Sequence, residues 1–300
     1  MTASDILLPR FAVIIPSYNR PDRLRALLLG LAKLDYEHER WEILVVDDGS
    51  IEPLESATSD IALPVPVRFY RQSNTGSGGA RNLAAKATQM EYLAFTADDC
   101  IPDRKWLSEL SIAFSIKGSE DALVGGAISH AIPNNRYATA SHLLIEYITA
   151  NFNAQKPSFF TPNNLAVHRD SFLNAGGFSD SIGATGEDRE FCARWLSQGR
   201  RMRFLPSAVV EHNHPLSFRG FVLQHYSYGI GSARYRQLRE SDSQARPRTE
   251  PLKFYLRLIS CPFRTDYPQK TTLTLLLVIS QVANAAGVVR ETLWPRVKSG

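Results

Sequence analysis

Carboxylates stand at two points of this chain where charge-handling chemistry would need them. Asp98 and Asp99 follow an apolar run, YLAF (92–95), and Glu187 and Asp188 stand between a glycine-flanked stretch, GATG (183–186), and a run of helical spacing. Adjacent carboxylates at a strand end suit a hard cation such as Mg²⁺ or Mn²⁺, which takes a few carboxylates plus phosphate oxygens. Successive strand side chains face opposite ways, so both aspartates serve one ligand only if the strand ends there. Pro102 supports such an ending, because it would interrupt a ladder. A helix-capping aspartate is the plainer alternative. A carboxylate on a loop facing a crevice can act as a general base, but a helix N-terminus attracts Glu187 and Asp188 for dipole reasons alone. His212 and His214 follow the run 208–211. Two positions apart on a strand they would share a face, and a surface turn before Pro215 fits the spacing as well. The stretch GSGGARN (76–82) is glycine-rich, opens a helical pattern and carries Arg81. Backbone amides at a helix start bind anions. As a dinucleotide fingerprint it fails, since the preceding RQSNT is not a buried strand.

Apolar patterning shows what must position these groups. Residues 11–16 (FAVIIP), 42–46 (EILVV), 67–70 and 92–95 read as short buried strands. Between them, 20–34 carries Leu24, Leu27, Leu28, Leu31 and Leu34 at helical spacing with Pro21 at its start, and 80–90 is an alanine-rich helix. Strand and helix in alternation imply a parallel α/β sheet with right-handed crossovers. Ligands of such sheets sit beyond the strands' carboxyl ends. Ser17, Tyr18 and Asn19, then Asp47 and Asp48, then Asp98 and Asp99 gather there, although the same residue types also favour ordinary turns. In the second half, 159–167 fits a strand pair or a loop, 187–199 a helix, 203–205 and 208–210 two short strands. From Phe218 the pattern is helical and basic, and 241–250 reads as a linker.

Composition narrows the class. The chain has 300 residues, 44% hydrophobic and 21% charged, an ordinary globular balance that excludes collagen, coiled coil and low-complexity disorder. Its net charge of +4 does not by itself point to nucleic acid. Charge is uneven, however: 18 basic and 24 acidic residues before position 200, 13 and 5 across 200–270, and 3 and 1 in the last thirty. Cys100, Cys192 and Cys261 match no zinc spacing and suggest unpaired thiols in a reducing compartment. The start, MTASDILLPRF, lacks the basic and apolar regions of a leader. Residues 271–289 are uncharged over 19 positions, nearly a bilayer core's length, but carry Thr274, Gln281 and Asn284 near one face. A spanning helix, a helix packed on protein and an in-plane membrane helix are the three readings of this segment.

Taken in order, VIIPSYNRPDRL (13–24), EILVVDDGS (42–50), NTGSGGARN (74–82), YLAFTADDCIP (92–102), TPNNLAVHRDSFLNAGGF (161–178), GEDREFCARW (186–195) and VVEHNHPLSFRGF (209–221) resemble the family 2 glycosyltransferases. The closest look is to bacterial members with a basic tail. The resemblance implies a GT-A fold: α/β, Rossmann-like, with a mostly parallel central sheet flanked by helices and a helical C-terminal extension. It implies a catalytic domain over 1–220, nucleotide-binding to about 102 and acceptor-binding beyond it, and an extension over 221–300. It implies inverting transfer of a sugar from a nucleotide-diphosphate donor, UDP-type favoured, to a hydroxyl of a glycan or lipid-linked acceptor. Asp188 would be the base, with Glu187 beside it helping to bind acceptor. Pro16, Tyr18, Arg20, Asp47, Asp48, Gly78, Arg81 and Asp98 would border the nucleotide. Asp48 would hydrogen-bond the base, and Asp47 would approach the ribose or support the turn. Asp99 would hold Mn²⁺ or Mg²⁺ with Asp98, and His212 or His214 would complete that site or touch the diphosphate. Asn164 and Trp195 would meet acceptor. A departure is Ala97, where many members carry a further Asp. The implied place is cytoplasmic, with peripheral attachment to the inner membrane face through the extension, and a second copy of the chain is a further partner to consider. The competing classes are a catalytically idle sugar-nucleotide-binding scaffold and a sugar nucleotidyltransferase, which would want a glycine-rich basic loop after the first strand.

Overall fold

The computed structural model describes residues 8–116, 118–119, 121–153, 156–180, 182–183, 185–241 and 250–295. Strands β1 (Phe11–Ser17) and β2 (Trp41–Asp47) are buried along their whole length and pair in parallel from Phe11↔Trp41 to Ser17↔Asp47. Burial on both faces explains their unbroken apolar runs. Alternate side chains enter two cores. Phe11, Val13, Ile15, Ile43 and Val45 pack with α1 (Pro21–Leu31), whereas Ala12, Ile14, Leu44 and Val46 lie in the opposite core. After α2 (Leu54–Thr58) come β3 (Val67–Arg71), α3 (Ser77–Ala87), β4 (Tyr92–Phe95), β5 (Cys100–Pro102), α4 (Trp106–Ser115) and β6 (Leu123–His130). Then follow α5 (Arg136–Asn153), β7 (Leu165–His168), α6 (Arg169–Asn174), α7 (Glu187–Ser197) and β8 (Met202–His212). Three helices end the chain: α8 (Phe218–Ser241), α9 (Leu252–Ser260) and α10 (Lys270–Leu293).

The sheet order is β3-β2-β1-β4-β7-β6-β8-β5. The pairings among β1, β2, β3 and β4 are all parallel, and β7 and β5 run antiparallel to their neighbours. The two short strands expected at 203–205 and 208–210 are one strand, β8, which follows β6 in parallel with an irregularity after Gly126. Phe204 and Leu205 continue into Ala208 because the extra residues bulge rather than end the ladder. Pro102 does not keep 100–102 out of the sheet. It closes the edge strand β5, where its missing N–H costs no internal ladder bond. The segment 159–167 contributes one strand, β7, inserted between β4 and β6. The linker expected at 241–250 falls outside the described residues except at its ends.

The helical extension packs on the second half of the sheet layer. Ala140 and Leu143 of α5 meet Phe221 of α8 and Leu273 and Leu276 of α10 in one cluster. Helices α8 and α10 approach to backbone contact at Gly287, where a Cβ would fall 2.0 Å from the carbonyl oxygen of Tyr226. The ion pair Arg234 Nε–Glu291 Oε1 at 2.8 Å, its carboxylate buried, ties the far ends of the two helices.

Candidate active site

The ends of β1 and β2 hold a hydrogen-bonded platform. Asn19, with φ +53°, accepts the Ile51 amide at its Oδ1 and donates its own amide to Ser50 Oγ. Asp47 is buried and accepts the amides of Ser50 (2.8 Å) and Leu54 (3.3 Å), so it supports the turn. Asp48 accepts from the amides of Thr75 and Gly76, each at 2.9 Å, and from Gln72 Nε2 at 2.8 Å. A carboxylate offers about four acceptor sites, so Asp48 mainly anchors the glycine-rich loop to the second strand. Pro16 is buried in β1, and Tyr18 stands 44% exposed at the platform's edge.

Asp98 and Asp99 lie next to this platform. Ser17 Oγ donates to Asp98 Oδ2 at 2.7 Å, and Arg20 Nη1 reaches Asp98 Oδ1 at 3.3 Å. Arg23 Nη1 lies 3.2 Å from Asp99 Oδ2. The edge register Cys100↔His212 brings β8's last residue beside the aspartates. His212 Nε2 is 3.5 Å from Asp99 Oδ1, and His214 Nδ1 is 2.8 Å from Asp99 Oδ2. The two imidazoles stack at 5.4 Å and 7°. They do so although only His212 belongs to the strand, because the Asn213 amide bonds to the Asp99 carbonyl and carries His214 past the strand end. Burial and Asp99 push the Asp98 carboxyl up. Burial works the same way on Asp99, but the hydrogen bonds from His212 and His214 outweigh it and hold this carboxyl well below the usual carboxylate range. Ligand atoms of Asp99, Cys100 and His212 lie within 4.8 Å of one another. Burial raises the Cys100 thiol far above its ordinary range, so the usable donors for a hard cation are carboxylate oxygen and imidazole nitrogen.

The second carboxylate pair opens α7. Gly186, at φ +96°, is the N-cap, and a side chain there would meet the Gly231 carbonyl oxygen of α8 at 3.0 Å. Glu187 Oε1 accepts from Ser77 Oγ at 3.1 Å, and Asp188 Oδ1 accepts the Arg189 amide at 2.7 Å. Burial raises both carboxyls, and Asp188 adds to the rise at Glu187. Arg81 faces them as a buried guanidinium whose Nε has no hydrogen-bond partner among the described residues. Desolvation lowers its pKa, opposed by Glu187 and Asp188. Gly78 lies beside Phe178 and Glu187, and an added Cβ would stand 3.3 Å from Phe178 Cβ and in ordinary contact with Glu187 Cγ.

A cavity of about 590 Å³ joins these groups: Arg81, Glu187, Asp188, His212 and His214 all line it. Two expected acceptor residues do not. Asn164 is buried and fully engaged, accepting from Trp106 Nε1 at 2.9 Å and donating to the carbonyls of Ala127 (2.8 Å) and Ala208 (2.9 Å). It ties α4, β6 and β8 together. Trp195 is wholly buried against Phe191, and its Nε1 donates to the Arg201 carbonyl at 2.8 Å. Both are corrections: their motif position puts them near the site, but their polar atoms are used inside the fold.

Four further residues line the cavity. His130, at the end of β6, registers against His212 and stacks on His142 of α5 at 4.9 Å. Burial, with His130 beside it, lowers His142 to about 4. Gln224 Oε1 lies 3.2 Å from His214 Nε2, and its amide donates to Tyr228 Oη at 2.7 Å. The i, i+4 placement of Gln224 and Tyr228 on α8 was readable once that helix was expected. The histidine pair was not, since twelve residues separate them.

Residues 12–175 match the family model described as Glycosyl transferase family 2, and residues 129–289 match Glycosyl transferase family group 2. The pre-mycofactocin glycosyltransferase of Mycobacterium tuberculosis (strain H37Rv) is 31% identical over 244 residues, covering 78% of this chain and 48% of that protein. The glycosyltransferase AglE of Haloferax volcanii is 26% identical over 211 residues, covering 68% and 67%. The chain thus spans about half the length of the first of these relatives. Among solved structures, the mannosyltransferase PcManGT from Pyrobaculum calidifontis, in complex with GDP-Man and Mn²⁺, superposes with a TM-score of 0.65 at 18% identity, covering 98% of this chain and 91% of that one. S. aureus TarS 1–349 in complex with UDP-GlcNAc gives 0.54 at 16%, covering 93% and 89%. At these identities the likeness is one of fold, and the fold is GT-A. With the family model covering more than half of its residues, the chain belongs to glycosyl transferase family 2.

Proposed function

We propose that the protein transfers a sugar from a nucleotide-diphosphate sugar to an acceptor hydroxyl with inversion, Asp188 serving as general base. The observation that carries this reading is the pairing of buried Glu187 and half-buried Asp188 with Arg81 at the cavity that His212 and His214 also line. Burial raises the Asp188 carboxyl and so strengthens it as a proton acceptor. It takes the acceptor proton as the oxygen attacks the anomeric carbon from the face opposite the diphosphate. Glu187, hydrogen-bonded to Ser77, helps hold the acceptor. Arg81 and the amides opening α3 stabilise charge as it builds on the leaving phosphate. Tyr18 and the loop that Asp48 anchors border the nucleotide.

The donor set suits a divalent cation: Asp99 with His212 or His214, and Asp98 alongside. The complex of PcManGT with GDP-Man and Mn²⁺ supports Mn²⁺ or Mg²⁺ in that role here. When bound, the ion supplies a Lewis acid at the donor diphosphate. Ser17 and Arg20 engage Asp98 and Arg23 engages Asp99 beside that place. The donor is a UDP- or GDP-type sugar, in keeping with the ligands of the two structural neighbours.

Residues 271–289, read from the sequence in three ways, form most of α10. Its inner face packs on α8 and α5, and its outer face exposes Leu275, Val278, Val282, Val289 and Leu293. Helix α9 exposes Leu252 and Leu256 beside Lys253 and Arg257. This apolar and basic face supports peripheral attachment to an anionic membrane on the cytoplasmic side, at about 1 kcal/mol per well-placed basic residue. Sedimentation with anionic liposomes tests it: the wild-type chain pellets at low salt and is released at high salt, and Leu256→Glu with Val282→Glu stays in solution. Wild-type protein remaining in solution at low salt refutes it.

The transfer reading is tested with Asp188→Asn. Donor binding stays near wild type, and transfer falls by a factor on the order of 10²–10⁴. A transfer rate near wild type in that variant removes Asp188 from the mechanism.

A further inference from the structure

Helix α8 runs along the cavity from the Asp99–His214 cluster to the loop before Glu187. Its residues Gln224, Tyr228, Gly231, Ser232 and Tyr235 line that space, and their spacing marks one helical face. At the start of the face, Gln224 Oε1 meets His214 Nε2 at 3.2 Å. Further on, the Gly231 backbone lies against the Thr185 carbonyl, and the Ser227 carbonyl accepts from Thr185 Oγ1 at 3.0 Å. Gln224 and Gly231 are roughly 10 Å apart along the axis at about 1.5 Å per residue, and Tyr228 stands between them. Its ring packs edge-on against buried His225 at 5.5 Å. Its oxygen accepts the Gln224 amide at 2.7 Å, and the same amide donates to Ser141 Oγ at 3.1 Å. A phenol can donate as well as accept, and among the described residues nothing accepts the Tyr228 proton. Burial raises this hydroxyl to about 12. The Gln224 hydrogen bond opposes the rise, and Asp188, Asp99 and Glu187 add to it. The phenol therefore keeps its proton at neutral pH, and the charges of both carboxylate pairs reach it.

In an in-line transfer the diphosphate sits at the cation site, the acceptor hydroxyl sits at Asp188, and the transferred sugar lies between them. Tyr228 holds the corresponding middle position on the cavity face of α8. From this placement we propose that Tyr228 binds the transferred sugar, donating its O–H to an oxygen of that sugar while Gln224 fixes the phenol in place. The inference rests on the transfer reading given above and adds a donor-sugar contact to the same site. The residue lies beyond the last motif segment, which ends at 221, on a helix of the extension. A site built to hydrogen-bond a substrate oxygen loses discrimination when its own partner is removed.

The test compares the full wild-type chain with its Tyr228→Phe and Ser141→Ala variants. Two ligand pairs are titrated calorimetrically with Mn²⁺ present: UDP with UDP-GlcNAc, and GDP with GDP-mannose. Within a pair the ligands share nucleotide and diphosphate and differ by the sugar. In the pair whose nucleotide sugar the wild-type chain binds more tightly, Tyr228→Phe is expected to weaken the nucleotide sugar about 3–10-fold, the worth of one hydrogen bond. Affinity for the matching nucleoside diphosphate should stay unchanged. Ser141→Ala removes the other acceptor of the Gln224 amide and should leave both affinities near wild type. Unchanged affinity of Tyr228→Phe for the nucleotide sugar overturns the proposal. Equal weakening of both ligands overturns it as well, because the effect would then act at the diphosphate or run through Gln224 and His214. The same loss in Ser141→Ala also overturns it, since it would mark support of Gln224 rather than contact with the sugar. A wild-type chain that binds neither nucleotide sugar overturns the transfer reading beneath it, whereas donor binding that Tyr228→Phe leaves intact overturns the sugar contact alone.

Discussion

Gly231 of α8 offers a perturbation whose size can be read from the backbone. A Cβ added there would lie 2.4 Å from the carbonyl oxygen of Thr185 and 2.7 Å from its Oγ1. Restoring an ordinary contact of 3.4 Å to the carbonyl needs a displacement of roughly 1 Å. Helix α8 resists that shift, because Gly229, two residues away, already meets Asn284 of α10 at a virtual 2.0 Å. The loop must therefore give, and two residues on it becomes Glu187 and Asp188. A misplacement of about 1 Å at a reacting group can cost on the order of 100-fold in rate, whereas overpacking of this kind costs about 1–3 kcal/mol in stability. Gly231→Ala is expected to lower kcat about 100-fold with donor affinity retained. Gly229→Ala strains the same helix against α10 and should lower Tm by several degrees with a much smaller loss in kcat. Steady-state transfer, donor titration and thermal unfolding on the two variants separate the effects. A Gly231→Ala enzyme with near wild-type kcat would show that α8 does not fix the catalytic loop.

Chelation should abolish transfer, and Mn²⁺ or Mg²⁺ should restore it. Asp99→Asn should weaken donor binding more than Asp98→Asn, since Asp99 is the carboxylate that both histidines engage; full activity in excess chelator refutes the metal assignment. For pH, the raised carboxyls of Glu187 and Asp188 bind protons more tightly in the folded chain than in the unfolded one. Transfer therefore declines as pH falls through their raised values, because the base becomes protonated. Stability moves the other way: ionising these buried groups costs free energy above the raised values, and the cost disappears on acidification. Asp188→Asn should accordingly raise Tm at pH 8, with the gain shrinking on acidification, and an unchanged Tm at pH 8 would show that Asp188 is not strained in its charged form.

Much of this site was readable because its residues end elements with strong local signals. The strands ending in Asp47 and in Phe95, just before Asp98, are buried runs that only a covered parallel sheet explains, and the glycine before Glu187 marks a helix start. What the sequence could not disclose depends on pairing between distant segments. The edge strand β5 looks like a loop because Pro102 sits in it, and only β8 opposite makes it a strand. The same pairing sets His212 against Asp99. Asn164 and Trp195 show the converse error. Both stand in motif segments, yet burial satisfies their polar atoms inside the fold, and no local pattern distinguishes a motif residue that contacts ligand from one that supports its neighbours.

The helix that follows the expected boundary at position 220 is bonded to the site at several points. This helix, α8, supplies Gln224 to His214, the Ser227 carbonyl to Thr185 Oγ1 at 3.0 Å, and Arg234 to both the Ile182 carbonyl and Glu291. His214, the loop before Asp188 and the apolar helix α10 thus share one support. The buried Glu291 carboxylate takes Arg234 at 2.8 Å on one oxygen and Arg290 at 2.6 Å on the other. A helix that merely trailed behind a finished domain would not need such a tie. Its place explains why α10 keeps Glu291 at the end of an otherwise apolar run. The inner face of the extension holds the loop before Glu187 and part of the cavity wall, and its outer face exposes Leu275, Val278, Val282, Val289 and Leu293.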